Sequence, residues 1–201
     1  MKRKIIKNKF TLAFAILAVM AAVLTGCSGS ERSSDEVETQ QGMDTSGMVH
    51  LEGLDEVSAL FDEVYGGAAQ DLLPANLETS ELDLADADMV SYHTGLEDLS
   101  GIEGIYISES MISSVAYSAM YIRTNDEADA QQILDALMEK VNPAKWICVT
   151  AEKEIGAVFG NDVFFVMGAA DAADDVFSNA SKAAESRGMA VSESVEKVNP
   201  L

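Results

Sequence analysis

The stretch "SAMYIRTNDEADAQQIL", residues 118–134, combines a strand pattern with a helix pattern. Its first half belongs to "SSVAYSAMYIRT", residues 113–124, whose alternating side chains predict the longest strand of the chain. Asn125 is expected to cap the helix that follows. Acidic residues fill the first turn of this helix, where the helix dipole favours negative charge. The apolar stripe of this helix consists of Ala130, Ile133, Leu134, Leu137, Met138 and Val141. Asn142 and Pro143 are expected to end it.

The stretch "VFFVMGAADAADDVFSNA", residues 163–180, repeats this order of strand, acidic helix start and apolar stripe. Asp171 is expected to cap its helix, and Gly188 to stop it. A degenerate internal repeat and the common rules of strand–helix units explain the likeness equally well. The remaining predicted elements are a helix over residues 53–65, strands over 89–94, 104–108, 145–151 and 162–169, and an irregular connection over 71–88.

Together these elements predict an α+β fold. A helix with a one-sided apolar stripe needs a sheet face to cover. We therefore expect a two-layer sandwich with a mostly antiparallel sheet of about four or five strands and the helices on one face. The strand–helix–strand step is expected to be a right-handed crossover if its two strands are parallel.

The N-terminal residues have the pattern of a secretory signal. "MKRKIIKNKF", residues 1–10, is basic and contains no acidic residue, and Phe10 to Leu24 is apolar except for Thr11. This run of about 15 residues is shorter than the roughly 20 that a membrane-spanning helix needs. Residues 1–27 have two plain interpretations: an ordinary secretory signal, or a membrane helix that buries a cysteine at its end.

"LTGC", residues 24–27, resembles the lipobox of bacterial lipoproteins: Leu24, Thr25, Gly26 and Cys27. The resemblance implies that the Cys27 thiol receives a diacylglyceryl group and that a peptidase cuts before Cys27. It leaves open whether the new amino group is acylated as well. Each buried methylene contributes about 0.8 kcal/mol, so two or three chains anchor stably. The protein is thus expected at the extracytoplasmic face of the cell membrane, with this covalent lipid and no other cofactor.

Removal of residues 1–26 leaves eight basic and 34 acidic residues, a formal net charge of −26. Such a surface repels phosphate backbones and excludes nucleic acid as a partner. It also disfavours adsorption onto anionic lipid, which leaves the lipid as the membrane contact. The predicted organisation is a signal peptide (1–26), the lipidated cysteine with a disordered tether (27–50), one globular domain (51–188) and a flexible tail (189–201). The tether has a reach of about 25–30 Å.

The second cysteine, Cys148, lies in "WICVT" in the middle of a predicted strand, and core packing is expected for it. If Cys27 is acylated, Cys148 has no disulfide partner within the chain. Trp146, the only tryptophan, is expected to be partly buried at the sheet margin, with ligand stacking as the alternative.

Candidate catalytic and metal-binding residues are few. His93, Ser110 and Asp98 could form a Ser–His–acid arrangement, but no nucleophile-elbow motif is present and nothing in the sequence places them together. His50 falls in the predicted tether, and too few ligands remain for a zinc site. The acidic residues Asp83, Asp86 and Asp88 lack the glycine and the terminal glutamate of an EF-hand loop, and are expected to be a solvated linker.

Residues 88–188 are similar to a family of small, uncharacterised lipoproteins from Gram-positive anaerobes. The similarity lies in "VAYSAMYIRTND" (115–126), "NPAKWICVTAEKEI" (142–155) and "NDVFFVMG" (161–168). It implies a fold and a location, but no activity and no site. We expect a non-enzymatic binding or accessory module of the cell envelope whose partner is an envelope protein or a small ligand. The alternatives are a small envelope hydrolase that uses His93, and a solute-binding component of a transporter.

Overall fold

The computed structural model describes residues 50–111 and 114–200. The signal peptide, the lipobox and all of the predicted tether except His50 lie outside the described residues. The elements are α1 (Gly53–Gly67), β1 (Leu77–Glu81), α2 (Ala87–Thr94), β2 (Ile102–Ser110), β3 (Ser118–Thr124), α3 (Ala130–Lys140), β4 (Lys153–Phe159), β5 (Asp162–Gly168), α4 (Ala170–Ser186) and β6 (Val195–Val198). No helix in these ranges is long and apolar enough to cross a bilayer.

The strands form one sheet in the order β1-β2-β3-β5-β4-β6, and every neighbouring pair is antiparallel. The predicted α+β class and antiparallel sheet are confirmed, with six strands where about four or five were expected. The helix over 53–65 and the strands over 104–108 and 162–169 are also confirmed. Three strands were not predicted: the two edges, β1 in the connection predicted to be irregular and β6 in the predicted tail, and β4, which begins after the predicted strand over 145–151.

The helices cover both faces of the sheet, whereas the sequence predicted helices on one face. Side chains alternate along each strand. Tyr121 and Phe164 pack in a core with α1 and α4, while Met120, Ile122 and Phe165 pack in a second core with α2 and α3. The molecule therefore has three layers, with the sheet in the middle.

The topology explains this arrangement. The connections β3–α3–β4 and β5–α4–β6 each join parallel strands, and each moves two places across the sheet in the same direction. Because β3 and β5 themselves run antiparallel, two crossovers of the same hand must lie on opposite faces, as α3 and α4 do.

Residues 89–94, predicted as a strand, form most of α2 instead. The Asp86 carboxylate accepts a hydrogen bond from the Met89 N–H at 3.1 Å and caps the helix. Gly95 ends it at φ 73°, where an added Cβ would collide with the Lys140 carbonyl. Val90, His93 and Thr94 are buried at helical spacing, a pattern that six residues alone do not distinguish from a strand.

Residues 145–151, also predicted as a strand, lie in a loop, and β4 begins at Lys153. The Ala151 N–H donates to the Pro143 carbonyl at 2.8 Å, which closes the loop at its base. Cys148 is exposed and has φ 65°, so the expectation of core packing is wrong. Trp146 is partly buried, as expected, but within this loop rather than on a strand.

The starts of three elements differ from prediction. The cap of α3 is Asp129, whose side chain accepts from the Gln132 N–H, whereas Asn125 caps a preceding turn through the Glu127 N–H. Ala169 occupies the N-cap position of α4, and Asp171 lies in its first turn. β3 begins at Ser118 rather than near residue 113.

The segment after α4, predicted to be a flexible tail from residue 189, is part of the fold as far as residue 200. Met189 is buried, and β6 pairs with β4. The Asn199 side chain donates to the fully buried Glu154 carboxylate at 2.8 Å, and Lys197 lies 3.3 Å from the same carboxylate. These contacts satisfy a charge inside the sheet.

Candidate functional site

The three residues of the hypothetical Ser–His–acid arrangement take part in separate contacts. The Asp98 carboxylate accepts from the Ser100 N–H at 2.9 Å, and the Ser110 hydroxyl donates to the Ala75 carbonyl at 3.0 Å. His93 lies 3.3 Å from Glu109. Geometry therefore gives no support to catalysis by this trio.

The acidic linker residues act in local structure. Asp83 accepts from the Ala85 N–H at 2.9 Å, and Asp86 caps α2. Across residues 50–111 and 114–200, no three His, Cys, Asp or Glu side chains converge as a metal ion would require.

A buried polar network lies at one end of the sheet, and we name its four members the Lys145 cluster: Lys145, Glu109, Ser118 and His93. The Lys145 ammonium lies 2.5 Å from the Glu109 carboxylate, and the Ser118 hydroxyl donates to the same oxygen at 2.6 Å. The Lys145 side chain is 1% exposed. The cluster therefore ties α2, β2, β3 and the loop after α3 together.

The charges of this cluster stabilise one another. Burial opposes ionisation of Glu109, but His93, Lys145 and Ser118 outweigh it and lower the pKa of the carboxyl to about 2. Burial lowers the pKa of Lys145, and the Glu109 charge opposes that change. Ser118 is fully buried and its hydroxyl donates a hydrogen bond to Glu109, so the hydroxyl is closed to a substrate from solvent. The arrangement fits a rigid support better than a nucleophile and its base.

Aromatic rings cover the cluster. The Tyr92 hydroxyl donates to the Lys145 carbonyl at 3.1 Å, and the ammonium lies 5.1 Å from the centre of the Trp146 ring. Five of the six large apolar side chains that are exposed in the described residues lie within four residues along the chain of a cluster member. We name these five the apolar rim: Met89, Tyr92, Met111, Val115 and Ile147.

A second polar network lies at the other end of the sheet, and we name its members the His50 clasp: His50, Asp162, Tyr121 and Asp126. His50 Nδ1 lies 2.8 Å from the Asp162 carboxylate, which also accepts from the Thr124 N–H at 2.8 Å and the Tyr121 hydroxyl at 2.5 Å. Asp162 is fully buried. His50 is thus fixed to the domain, and its assignment to the tether is wrong.

Both imidazole nitrogens of His50 contact carboxylates, since Nε2 lies 3.1 Å from Asp126. Burial opposes protonation, but Asp162 and Asp126 together outweigh it and raise the pKa of His50 above 6.5. Beside the clasp lies an open polar cavity of about 550 Å³. Its lining residues are His50, Glu52, Glu103, Arg123, Thr124, Asn125, Asp126 and Glu127.

The two networks are separated by the length of β3. Ser118 begins this seven-residue strand and Thr124 ends it, which places the networks about 20 Å apart. Sequence inspection missed both, because their members come from distant segments: His50 and Asp162 are 112 residues apart along the chain. An aspartate directly before a buried strand, as in "NDVFF", is the one local signal of the clasp.

Comparison of the chain with protein-family models, with curated proteins and with solved structures gives no match. The two resemblances stated from the sequence therefore stay predictions.

Proposed function

We propose that this protein is a lipoprotein of the cell envelope, anchored by lipid at the extracytoplasmic face of the membrane, whose α+β domain binds a partner rather than catalysing a reaction. The observation that carries the location is "LTGC", residues 24–27, directly after a basic head and an apolar run. These residues lie outside the described part of the chain.

The His50 clasp fixes the start of the described domain. His50 is the first described residue, and its contact with buried Asp162 fixes the point where the preceding chain enters the domain. A tether from Cys27 would therefore join the domain at the clasp. The apolar rim lies at the opposite end of β3.

The contrast between buried polar groups and exposed apolar groups supports binding over catalysis. The Ser118 hydroxyl, 3.4 Å from the Lys145 ammonium, is sealed from solvent. By contrast, Ile147 is 78% and Met111 72% exposed. Exposed apolar side chains that gather in one place mark interaction surfaces.

Radiolabelled palmitate tests the anchor, and the chain offers a matched control because it has only two cysteines. We expect the full chain, expressed in a bacterium that processes lipoproteins, to incorporate label. Cys27→Ala should lose the label and Cys148→Ala should keep it. Label that persists in Cys27→Ala, or that disappears in Cys148→Ala alone, would overturn the proposed anchor.

A further inference from the structure

The residues of the apolar rim lie on segments that the Lys145 cluster ties together. Tyr92 is held by its hydrogen bond to the Lys145 carbonyl, and its ring lies edge-on to the His93 ring at 4.9 Å. Ile147 follows Trp146, whose ring stacks over the Lys145 ammonium. Met111 and Val115 flank the ends of β2 and β3 that carry Glu109 and Ser118. The buried ion pair thus fixes the backbone from which the rim side chains project.

The charges around the rim are acidic. Asp88 precedes Met89 and is exposed, and exposed Glu78 is the cross-strand neighbour of Glu109. The basic group closest to the rim, Lys145, is buried and paired. A partner that covers the rim therefore meets apolar side chains bordered by carboxylates.

We propose that the apolar rim binds a basic, amphipathic segment of an envelope protein, with large apolar side chains against the rim and Lys or Arg side chains against its acidic border. Charge favours this occupant over two others. A second copy of the chain would bring a net charge of −26 against −26, and an anionic membrane would repel the same charge. The inference rests on the proposed function, because it names the partner of the binding module.

The probe is a displayed library of random 12-residue peptides, presented to the full lipidated chain in phosphatidylcholine nanodiscs. We expect selection of peptides that combine Lys or Arg with large apolar residues. The affinity of the selected peptides should fall about tenfold or more in Ile147→Glu, since apolar anchors at the centre of an interface carry most of its energy.

Val198→Glu is the matched control. Val198 is 74% exposed, close to the 78% of Ile147, and lies on the edge strand β6, so both variants add one charge at an exposed apolar site. We expect a change of less than about twofold in Val198→Glu, because it leaves the rim intact. Equal losses in both variants would reduce the binding to general charge attraction and overturn the proposal.

Three further outcomes would also overturn the proposal. The wild-type chain could enrich no peptides beyond those that Ile147→Glu enriches, the selected peptides could be acidic or uncharged, or another surface could occupy the rim. The last would be seen as dimers in sedimentation that Ile147→Glu abolishes, or as binding of the Cys27→Ala domain to lipid vesicles. If peptide selection fails while palmitate labelling still depends on Cys27, the proposed partner is wrong and the proposed lipid anchor is retained.

Discussion

The His50 clasp and the Lys145 cluster lie at opposite ends of β3, and they differ in what surrounds them. The clasp opens onto a polar cavity, and Asp126, one of its two carboxylates, has a side chain that is 81% exposed. The cluster lies beneath aromatic rings, and its ammonium is 1% exposed. Water can screen the outer contact of the clasp with Asp126, whereas the Lys145 ammonium depends on the other members of its cluster for solvation.

This difference in exposure determines how much stability is lost when one member of a charged pair is removed. When one partner leaves a solvated pair, water replaces it, and the change in stability is small. When one partner leaves a buried pair, the remaining charge stays desolvated, and the change is large. The His50–Asp126 contact therefore carries less weight in the fold than the Lys145–Glu109 pair.

The largest effect is expected at the buried end. Lys145→Ala leaves the Glu109 carboxylate without its ammonium and should lower the free energy of unfolding by about 3 kcal/mol in urea titration. Lys182→Ala, at an exposed position of α4, is the control and should change it by less than about 0.5 kcal/mol. Equal values for the two variants would contradict a buried ion pair between Lys145 and Glu109.

A smaller, pH-dependent effect is expected at the clasp. Because the pKa of His50 is raised in the fold, its contribution is complete below the unfolded value of 6.5 and is lost as the pH rises through the folded value. Wild type should therefore exceed His50→Gln in stability by about 1 kcal/mol at pH 5.5, and the difference should shrink towards pH 8.5. A difference that grows with pH would show that the carboxylates do not hold the imidazolium. Thermal unfolding across this range is the measurement.

The smallest effect concerns the loop that carries Ile147. Cys148 is exposed there, so the uncharged reagent iodoacetamide should alkylate it in the folded domain within about twofold of its rate in denaturant. Mass spectrometry follows the reaction, with Cys27→Ala as the protein so that Cys148 is the only thiol. Protection of tenfold or more would mean that the loop is packed, and would move Ile147 out of the rim.

The sequence predicted those parts of the fold that local patterns encode. The α3 and α4 stripes and the alternation in β2, β3 and β5 depend on neighbours within a few residues, so they could be read directly. The edge strands β1 and β6 escaped notice because most of their residues are exposed and they carry no apolar alternation. β4 was missed because the strand was assigned to the preceding residues 145–151. Because β6 was not predicted, the crossover from β5 through α4 to β6 was not predicted either, and neither was the position of α4 on the second face.

The candidate sites were harder to predict from the sequence than the fold, for a physical reason. His93 was recognised as unusual, but its partners Glu109 and Lys145 come from other elements, 16 and 52 residues away. The same holds for His50. Cys148 was placed in the core from its apolar neighbours, whereas the loop closure between Pro143 and Ala151 turns Ile147 and Cys148 to the solvent. Contacts between distant segments are what composition and spacing do not encode.

The carboxylate of Glu154, sealed inside the sheet, makes the fold depend on residues that are translated late. Its donors, Asn199 and Lys197, are made more than 40 residues after it. A chain that stopped short of them would have to bury an unpaired charge, and we expect such a chain to stay open to proteases. A folded copy would therefore show that translation had reached at least Asn199.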